Sequence, residues 1–256
     1  MILDSPLGRA IYRFERSVDE TTRDRVPLPP CESDVPMRAP ESPRAEVLTT
    51  PAEGVWALVL AAGRGTRFGG GKLMAPLGGR PLIAHVLAAA ADARTRGILS
   101  GTVAVVPVRD DAIARTVLDG GAEVAVNPEP SVGLSRSLRL GFAALEAKGP
   151  AVRAAVILPG DQPLVRVEAI AAVVAVWRKQ GAAVVRPVYR DQPEVPGHPV
   201  LLDRTAWPLT LELTGEEGLG ALLRRRPELI TTVDLPGSNP EVDTPGDLAD
   251  LEDPTQ

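Results

Sequence analysis

The residues best suited to chemistry sit in one glycine-rich segment, Leu60-Ala61-Ala62-Gly63-Arg64-Gly65-Thr66-Arg67-Phe68-Gly69-Gly70-Gly71-Lys72. Glycines that follow an apolar run let backbone N–H groups turn toward an anion, and nearby cations add charge. Arg67 offers a forked guanidinium for phosphate oxygens. Lys72 is one of only three lysines, with Lys148 and Lys179, among 28 Lys+Arg. A second chemical residue is Asp161, in Leu158-Pro159-Gly160-Asp161-Gln162-Pro163 after the apolar run Ala154–Leu158. An acid at the carboxyl end of a parallel strand can hold Mg²⁺ against a phosphate; the competing role is to cap the helix after Pro163. One cysteine, Cys31, and two histidines, His85 and His198, exclude an internal disulfide and a Cys/His zinc centre. Any metal must therefore be held by oxygen, which points to a hard ion.

Counting tests two familiar anion loops, and both fail. A dinucleotide fingerprint starting at Gly63 needs glycine where Phe68 stands, and Arg109 follows the second strand where an acid is expected. A P-loop ending at Gly71-Lys72 needs glycine and Ser/Thr where Thr66 and Leu73 stand. The formal net charge of -5 and the three tryptophans, two tyrosines and three phenylalanines argue against binding nucleic acid by bulk charge or stacking. That charge is unevenly spread. Residues 1–53 carry 7 basic and 10 acidic groups and residues 241–256 carry 6 acidic groups alone, leaving a centre with a balance of +4. The N-terminus lacks an apolar signal region, and no apolar run reaches the ~20 residues of a membrane span. A cytoplasmic protein without membrane partners is the expectation.

The elements that must position these residues follow from periodicity. Residues 1–54 hold eight prolines among charges and read as a disordered extension, with a short helix near Leu7–Val18. From Val55 onward, short apolar strands (55–60, 102–108, 123–126, 154–158, 182–188) alternate with helices (81–94, 110–118, 135–147, 167–177). Pro81 is expected at the first helical position. After Tyr189 come a Pro-rich loop, a strand at 199–202, a helix at 218–226, a strand at 229–233 and a last helix at 245–251. Alternation of this kind implies an α/β domain over residues 55–256, a mostly parallel sheet with helices on both faces.

LAAGRGTRFGGGK resembles the signature loop of nucleotidyltransferases that couple an NTP to a phosphorylated acceptor. The resemblance continues in order through KLMAPLGGRPLIAHVL, GLSRSL, LPGDQPLV, GHPVLLDR, GEEGLGALLRR and EVDTPGDL. It is strongest to the MobA-like branch and, within it, to molybdenum cofactor cytidylyltransferases of the MocA type. It implies a three-layer, Rossmann-like fold of the nucleotide-diphospho-sugar transferase kind. The nucleotide would lie on Leu60, Ala61, Ala62, Gly63, Gly65, Arg67, Lys72, Gly133, Ser135 and Ser137. Arg67, Lys72 and Asp161 would be catalytic, Asp161 and Asp243 would hold Mg²⁺ or Mn²⁺, and His198 would face the acceptor. For Asp243 and for the two serines, helix capping is the plain alternative, and a surface position is the alternative for His198. Gln162 departs from the methionine frequent in this motif. His85 reads as structural, and the run Arg224, Arg225, Arg226 as a solvated helix end.

Ala62, where the guanosine-using relatives have glycine, implies CTP, and the acceptor implied is molybdopterin bearing molybdenum, destined for a molybdenum hydroxylase. Rival readings are a transferase using GTP or another NTP, a non-catalytic nucleotide- or cofactor-binding module of the same fold, and a Rossmann oxidoreductase. The failed glycine count opposes the last.

Overall fold

The first strand, β1 (Val55–Leu60), is apolar on both faces because both are covered. In the computed structural model, which describes residues 54–252, Val55, Ala57 and Val59 join one core cluster and Leu58 joins the other. The expected N-terminal extension and its helix near residues 7–18 lie outside the described residues.

A short antiparallel ribbon of β2 (Pro76–Leu77) and β3 (Arg80–Pro81) follows the glycine loop. Then come α1 (Leu82–Thr95), β4 (Gly101–Pro107), α2 (Asp111–Asp119), β5 (Glu123–Asn127), α3 (Leu134–Glu146), β6 (Ala154–Pro159) and α4 (Val167–Gln180). The remainder is β7 (Val184–Tyr189), β8 (Val200–Asp203), a 3-10 segment at Arg204–Glu212, α5 (Leu219–Arg225), β9 (Ile230–Leu235) and α6 (Pro245–Glu252). Seven strands form one sheet in the order β5-β4-β1-β6-β8-β7-β9. β8 runs antiparallel to β6 and β7, and every other pair is parallel. The mostly parallel, three-layer reading of the sequence is what the chain adopts.

One face buries α1, α2 and α4 against the sheet, and the other buries α3, the 3-10 segment and α5. Asp110 caps α2 by accepting from the Ile113 N–H at 3.0 Å. Pro81 stands one residue before α1 rather than at its first turn, because the Leu82 N–H donates to the Ala75 carbonyl at 3.0 Å and keeps Pro81 extended in the ribbon. The ribbon and the 3-10 segment were not expected from sequence: two-residue strands and a Pro-containing 3-10 helix carry no clear period. Among the described residues no helix is long and apolar enough to cross a membrane.

On the second face α3 lies very close to the sheet. Trp207 packs against Phe142 of α3 with ring centroids 5.1 Å apart and ring planes tilted by 44°. A Cβ added at Gly141 would come within 2.4 Å of the Leu58 side chain, which is fully buried. Gly141→Ala is therefore expected to destabilise the fold by about 1–3 kcal/mol through overpacking. Urea denaturation measures it, and Leu58→Ala should cost less in the Gly141→Ala background than alone, because the two share one space.

Candidate functional site

β1 and β6 lie side by side and end together, with Leu60 opposite Pro159. The glycine loop leaves one strand and Gly160-Asp161 leaves the other, so the loop cations and the Asp161 carboxylate meet at the carboxyl end of the sheet's central strands. The loop folds into two short 3-10 turns, Thr66–Phe68 and Lys72–Met74. Gly65, Gly69, Gly70 and Gly71 all have positive φ there, a conformation that side chains disfavour. The turns aim Lys72 inward, where its side chain is 11% exposed.

Lys72 Nζ donates to Asp161 Oδ2 at 2.7 Å and to Asp243 Oδ1 at 3.0 Å. Arg67 Nη1 donates to Asp243 Oδ2 at 2.7 Å. Burial opposes the charge on Lys72, but the two carboxylates outweigh it and raise its pKa above the ordinary lysine value. The Arg67 side chain is 78% exposed, so its pair adds little stability. Loss of Lys72 would instead leave the Asp161 and Asp243 carboxylates without their shared cation.

Neither acid is a helix cap. α4 starts at Val167 with Arg166 at its N-cap, well after Asp161. Ahead of α6, Thr244 Oγ1 accepts from the Asp247 N–H, while Asp247 Oδ2 accepts from the Asp243 and Thr244 N–H groups. Those bonds, first the one from Thr244, hold the Asp247 carboxyl below the usual range. Thr244 and Asp247 do the capping, and the Asp243 carboxylate turns to Lys72. Val242 anchors this turn: it is fully buried against Leu77 and Leu82, and its N–H donates to the Asp161 carbonyl at 2.9 Å.

Around these groups opens a cleft of about 1000 Å³. Leu60, Ala62, Gly63, Gly65, Arg67, Lys72, Gly133, Ser137, Asp161, His198 and Asp243 line it, as does Arg64. Two of the expected nucleotide residues do not. Ala61 is fully buried in the core, because its N–H still pairs with the Val105 carbonyl and continues the strand. Ser135 is 2% exposed and sits under the loop at 214–218, where its N–H donates to the Gly215 carbonyl. That loop packs directly on the start of α3: a Cβ on Gly133, whose φ is +111°, would lie 2.3 Å from the Gly215 backbone. Glu217 fastens the same loop through the Thr214 N–H and an ion pair to Arg225, while Arg226 pairs with Glu212. Arg224 Nη1 approaches Gly220, which lines the cleft. His85 Nε2 lies 3.0 Å from the Leu77 carbonyl, joining α1 to the ribbon.

The far end of the cleft is a hydrogen-bonded network that sequence reading did not assemble. Asn239 Nδ2 donates to Gln162 Oε1 at 3.0 Å and to the His198 carbonyl at 3.3 Å. Gln162 Nε2 donates to Glu241 Oε1 at 3.1 Å and lies 3.5 Å from His198 Nδ1. The Tyr189 hydroxyl donates to the His198 carbonyl at 2.7 Å, and burial pushes its pKa up to about 12. Burial, and then the charges of Asp161 and Asp243, raise the Glu241 carboxyl above its ordinary value. His198 faces the cleft rather than bulk solvent. Burial, helped by the Arg186 charge, lowers its pKa from 6.5 to about 4, so the ring is neutral at pH 7.

The unfolded chain therefore takes up a proton on His198 near pH 6.5 that the folded chain refuses until about 4. This contribution to stability is complete above pH 6.5 and is lost as pH falls toward 4. Its slope approaches about 1.4 kcal/mol per pH unit. Urea denaturation of wild type and His198→Asn between pH 7.5 and 5 should show the steeper decline in wild type, by roughly that slope.

Residues 57–236 match the MobA-like NTP transferase domain, a span that takes in the glycine loop, Asp161 and His198 but ends before Asp243. The chain is similar to the 3-deoxy-manno-octulosonate cytidylyltransferase of Anaeromyxobacter sp. (strain K), 37% identical over 118 residues, covering 46% of this chain and 45% of that protein. It is also similar to the 2-C-methyl-D-erythritol 4-phosphate cytidylyltransferase of Cereibacter sphaeroides (strain ATCC 17023), 39% identical over 136 residues, covering 52% and 58%. The chain thus spans about half the length of the curated relatives it matches. Among solved structures, Rv0371c from Mycobacterium tuberculosis H37Rv matches with a TM-score of 0.63 at 25% identity, over 77% of this chain and 97% of that one. A manganese complex of Rv0371c matches at 0.62 and 24% identity, over 77% and 97%. With its sheet order, its loop cations and most of its length inside that one match, the chain belongs to the MobA-like NTP transferase domain family.

Proposed function

We propose that the protein is a molybdenum cofactor cytidylyltransferase, which moves CMP from CTP to the phosphate of molybdenum-loaded molybdopterin and releases pyrophosphate. The observation that carries a transferase reading is the meeting of Lys72, Asp161 and Asp243 beneath the glycine loop, in a cleft large enough for two ligands. CTP is supported by the cytidylyltransferase names of the relatives and by Ala62, which lines the cleft and stands where the resemblance puts glycine in guanosine-using enzymes. The molybdopterin acceptor, with a molybdenum hydroxylase as its client, is supported by the ordered motifs from the loop to EVDTPGDL.

Asp161 and Asp243 would hold Mg²⁺ or Mn²⁺. The donor set fits: two carboxylates already share one cation, the Lys72 ammonium. Among the described residues no group of three or more His, Cys, Asp or Glu forms a metal site, so phosphate oxygens and water would complete the shell, as suits Mg²⁺. The ion would supply Lewis-acid stabilisation at the α-phosphate. Arg67 and Lys72 grip the triphosphate and neutralise the charge that grows on the departing pyrophosphate. The glycine loop and the start of α3 orient the nucleoside, and the His198 side positions the acceptor for in-line attack. An acceptor phosphate oxygen forms the new bond to the α-phosphorus as the bond to the β-phosphate bridging oxygen breaks. A second reading, a sugar-acid or polyol-phosphate acceptor, is favoured by the names of the same relatives.

Purified protein, Mg²⁺, each NTP in turn and either molybdenum-loaded molybdopterin or 3-deoxy-manno-octulosonate should release pyrophosphate with CTP and the molybdopterin. Preference for GTP would overturn the cytidylyl reading, and turnover only with the sugar acid would overturn the acceptor. Lys72→Ala and Asp161→Asn should each lose at least about 100-fold in pyrophosphate release while remaining folded by circular dichroism.

A further inference from the structure

The polarity of the far wall can be followed from the backbone outward. The His198 carbonyl can only accept, and it lies 2.7 Å from the Tyr189 hydroxyl and 3.3 Å from the Asn239 amide. The amide atom that faces it is therefore Nδ2, because an oxygen there would set two acceptors against each other. The same Nδ2 faces the Gln162 amide, whose near atom must then be Oε1, at 3.0 Å. Gln162 Nε2 is thereby turned the other way, 3.1 Å from Glu241 Oε1 and 3.5 Å from His198 Nδ1. Both amides are buried, so turning either over would strand its polar atoms away from water. One Nε2 proton goes to Glu241, and the second is left for the ring. A proton on His198 Nδ1 would meet it head-on, so Nδ1 keeps its lone pair. A neutral imidazole has a single N–H, which then sits on Nε2. Nε2 has no partner among the described residues and, unlike Asn239 Oδ1, is not sealed from the cleft.

We propose that Asn239 and Gln162 are positioning residues that fix His198 as the Nε2–H tautomer, and that this N–H donates to a lone-pair atom of the acceptor substrate. The donor role rests on the acceptor reading above; the tautomer does not. On molybdopterin the matching group is the carbonyl oxygen or an unprotonated ring nitrogen of the pterin. A histidine that merely filled the wall would need no fixed tautomer.

The test begins with the full chain carrying ¹⁵N-histidine, by long-range ¹H–¹⁵N correlation spectra of wild type, Gln162→Met and Asn239→Leu at pH 7.5. The chain has two histidines, and the His198→Asn spectrum identifies the signals of each. In wild type, His198 Nδ1 should fall at the shift of an unprotonated nitrogen and Nε2 at that of a protonated one. In both variants the two shifts should move toward each other as the tautomers mix. A wild type protonated on Nδ1, or shifts unchanged in both variants, overturns the proposal. Steady-state pyrophosphate release then reads the donor role. Gln162→Met should raise the KM for molybdenum-loaded molybdopterin about tenfold and leave the KM for CTP within about twofold of wild type. An unchanged acceptor KM overturns the donor role alone, whereas a wild type that releases no pyrophosphate with molybdopterin overturns the acceptor reading with it. If Asn239→Leu does not fold, Gln162→Met decides by the same shifts.

Discussion

Two carboxylates from distant parts of the chain cannot sit side by side without a cation between them. At an effective dielectric of 20, like charges 4 Å apart repel by about 4 kcal/mol. Lys72 supplies the cation for Asp161 and Asp243, reaching both within 3.0 Å. That contact ties the glycine loop, the end of β6 and the turn before α6 into one unit. It also leaves the two acids poised to exchange their cation. On the proposed reading, a metal–triphosphate complex would bring both a replacement cation for the carboxylates and new anionic partners for Lys72 and Arg67, so the charges would remain matched on either side of binding.

The fold delivers these parts through backbone pairing more than through side-chain packing. Parallel pairing of β1 with β6 sets Leu60 opposite Pro159, and each of the two chemical segments starts one residue later. The Val242 N–H then donates to the Asp161 carbonyl, which brings Asp243 alongside without any direct contact between the acids. Side chains tighten what the backbone has aligned: Val242 is buried under the ribbon, and the Thr244–Asp247 cap frees the Asp243 carboxylate. On the other wall the Gly133–Gly215 approach presses the loop at 214–218 against the start of α3. There the loop shields Ser135 and leaves Ser137 facing the cleft.

Much of this was legible in the sequence wherever the signal was local. The central strands announced themselves as unbroken apolar runs because both faces are buried. The glycine loop stood out because positive φ at several adjacent positions needs glycine. Where the lining of the cleft departs from the expected residues, the causes are equally plain. Ala61 and Ala62 differ by one step of a strand, which reverses the facing direction, and only the Val105 pairing shows how far the strand continues. Ser135 and Ser137 are two helical positions apart and so cannot share a face. Which of them lines the cleft depends on a loop some 80 residues away, about Gly215. Asn239 and Glu241 carried no signal at all: each is an ordinary polar residue until long-range pairing with Gln162 or the site acids gives it a task.

The cleft is divided by the kind of force each half uses. Arg64, Arg67 and Lys72 gather at the glycine-loop side, where a triphosphate needs fixed positive charge. The opposite side has a neutral His198, a Glu241 pushed toward its neutral form, and the amides of Gln162 and Asn239. Such a surface recognises a partner by hydrogen-bond pattern rather than by charge. Asn239 Oδ1 is buried with no partner among the described residues, and an acceptor left unmet in this way costs about 1–3 kcal/mol. Gln162 takes the Asn239 N–H and so fixes that amide's direction, which a methionine at the same position could not do. If the protein transfers a nucleotide as proposed, charge would govern where phosphates lie and where the bond is made, while the Gln162 network would govern what lies beyond them. On the proposed reading, the acceptor's reacting phosphate would sit at the boundary between the two, beside Lys72 and Asp161.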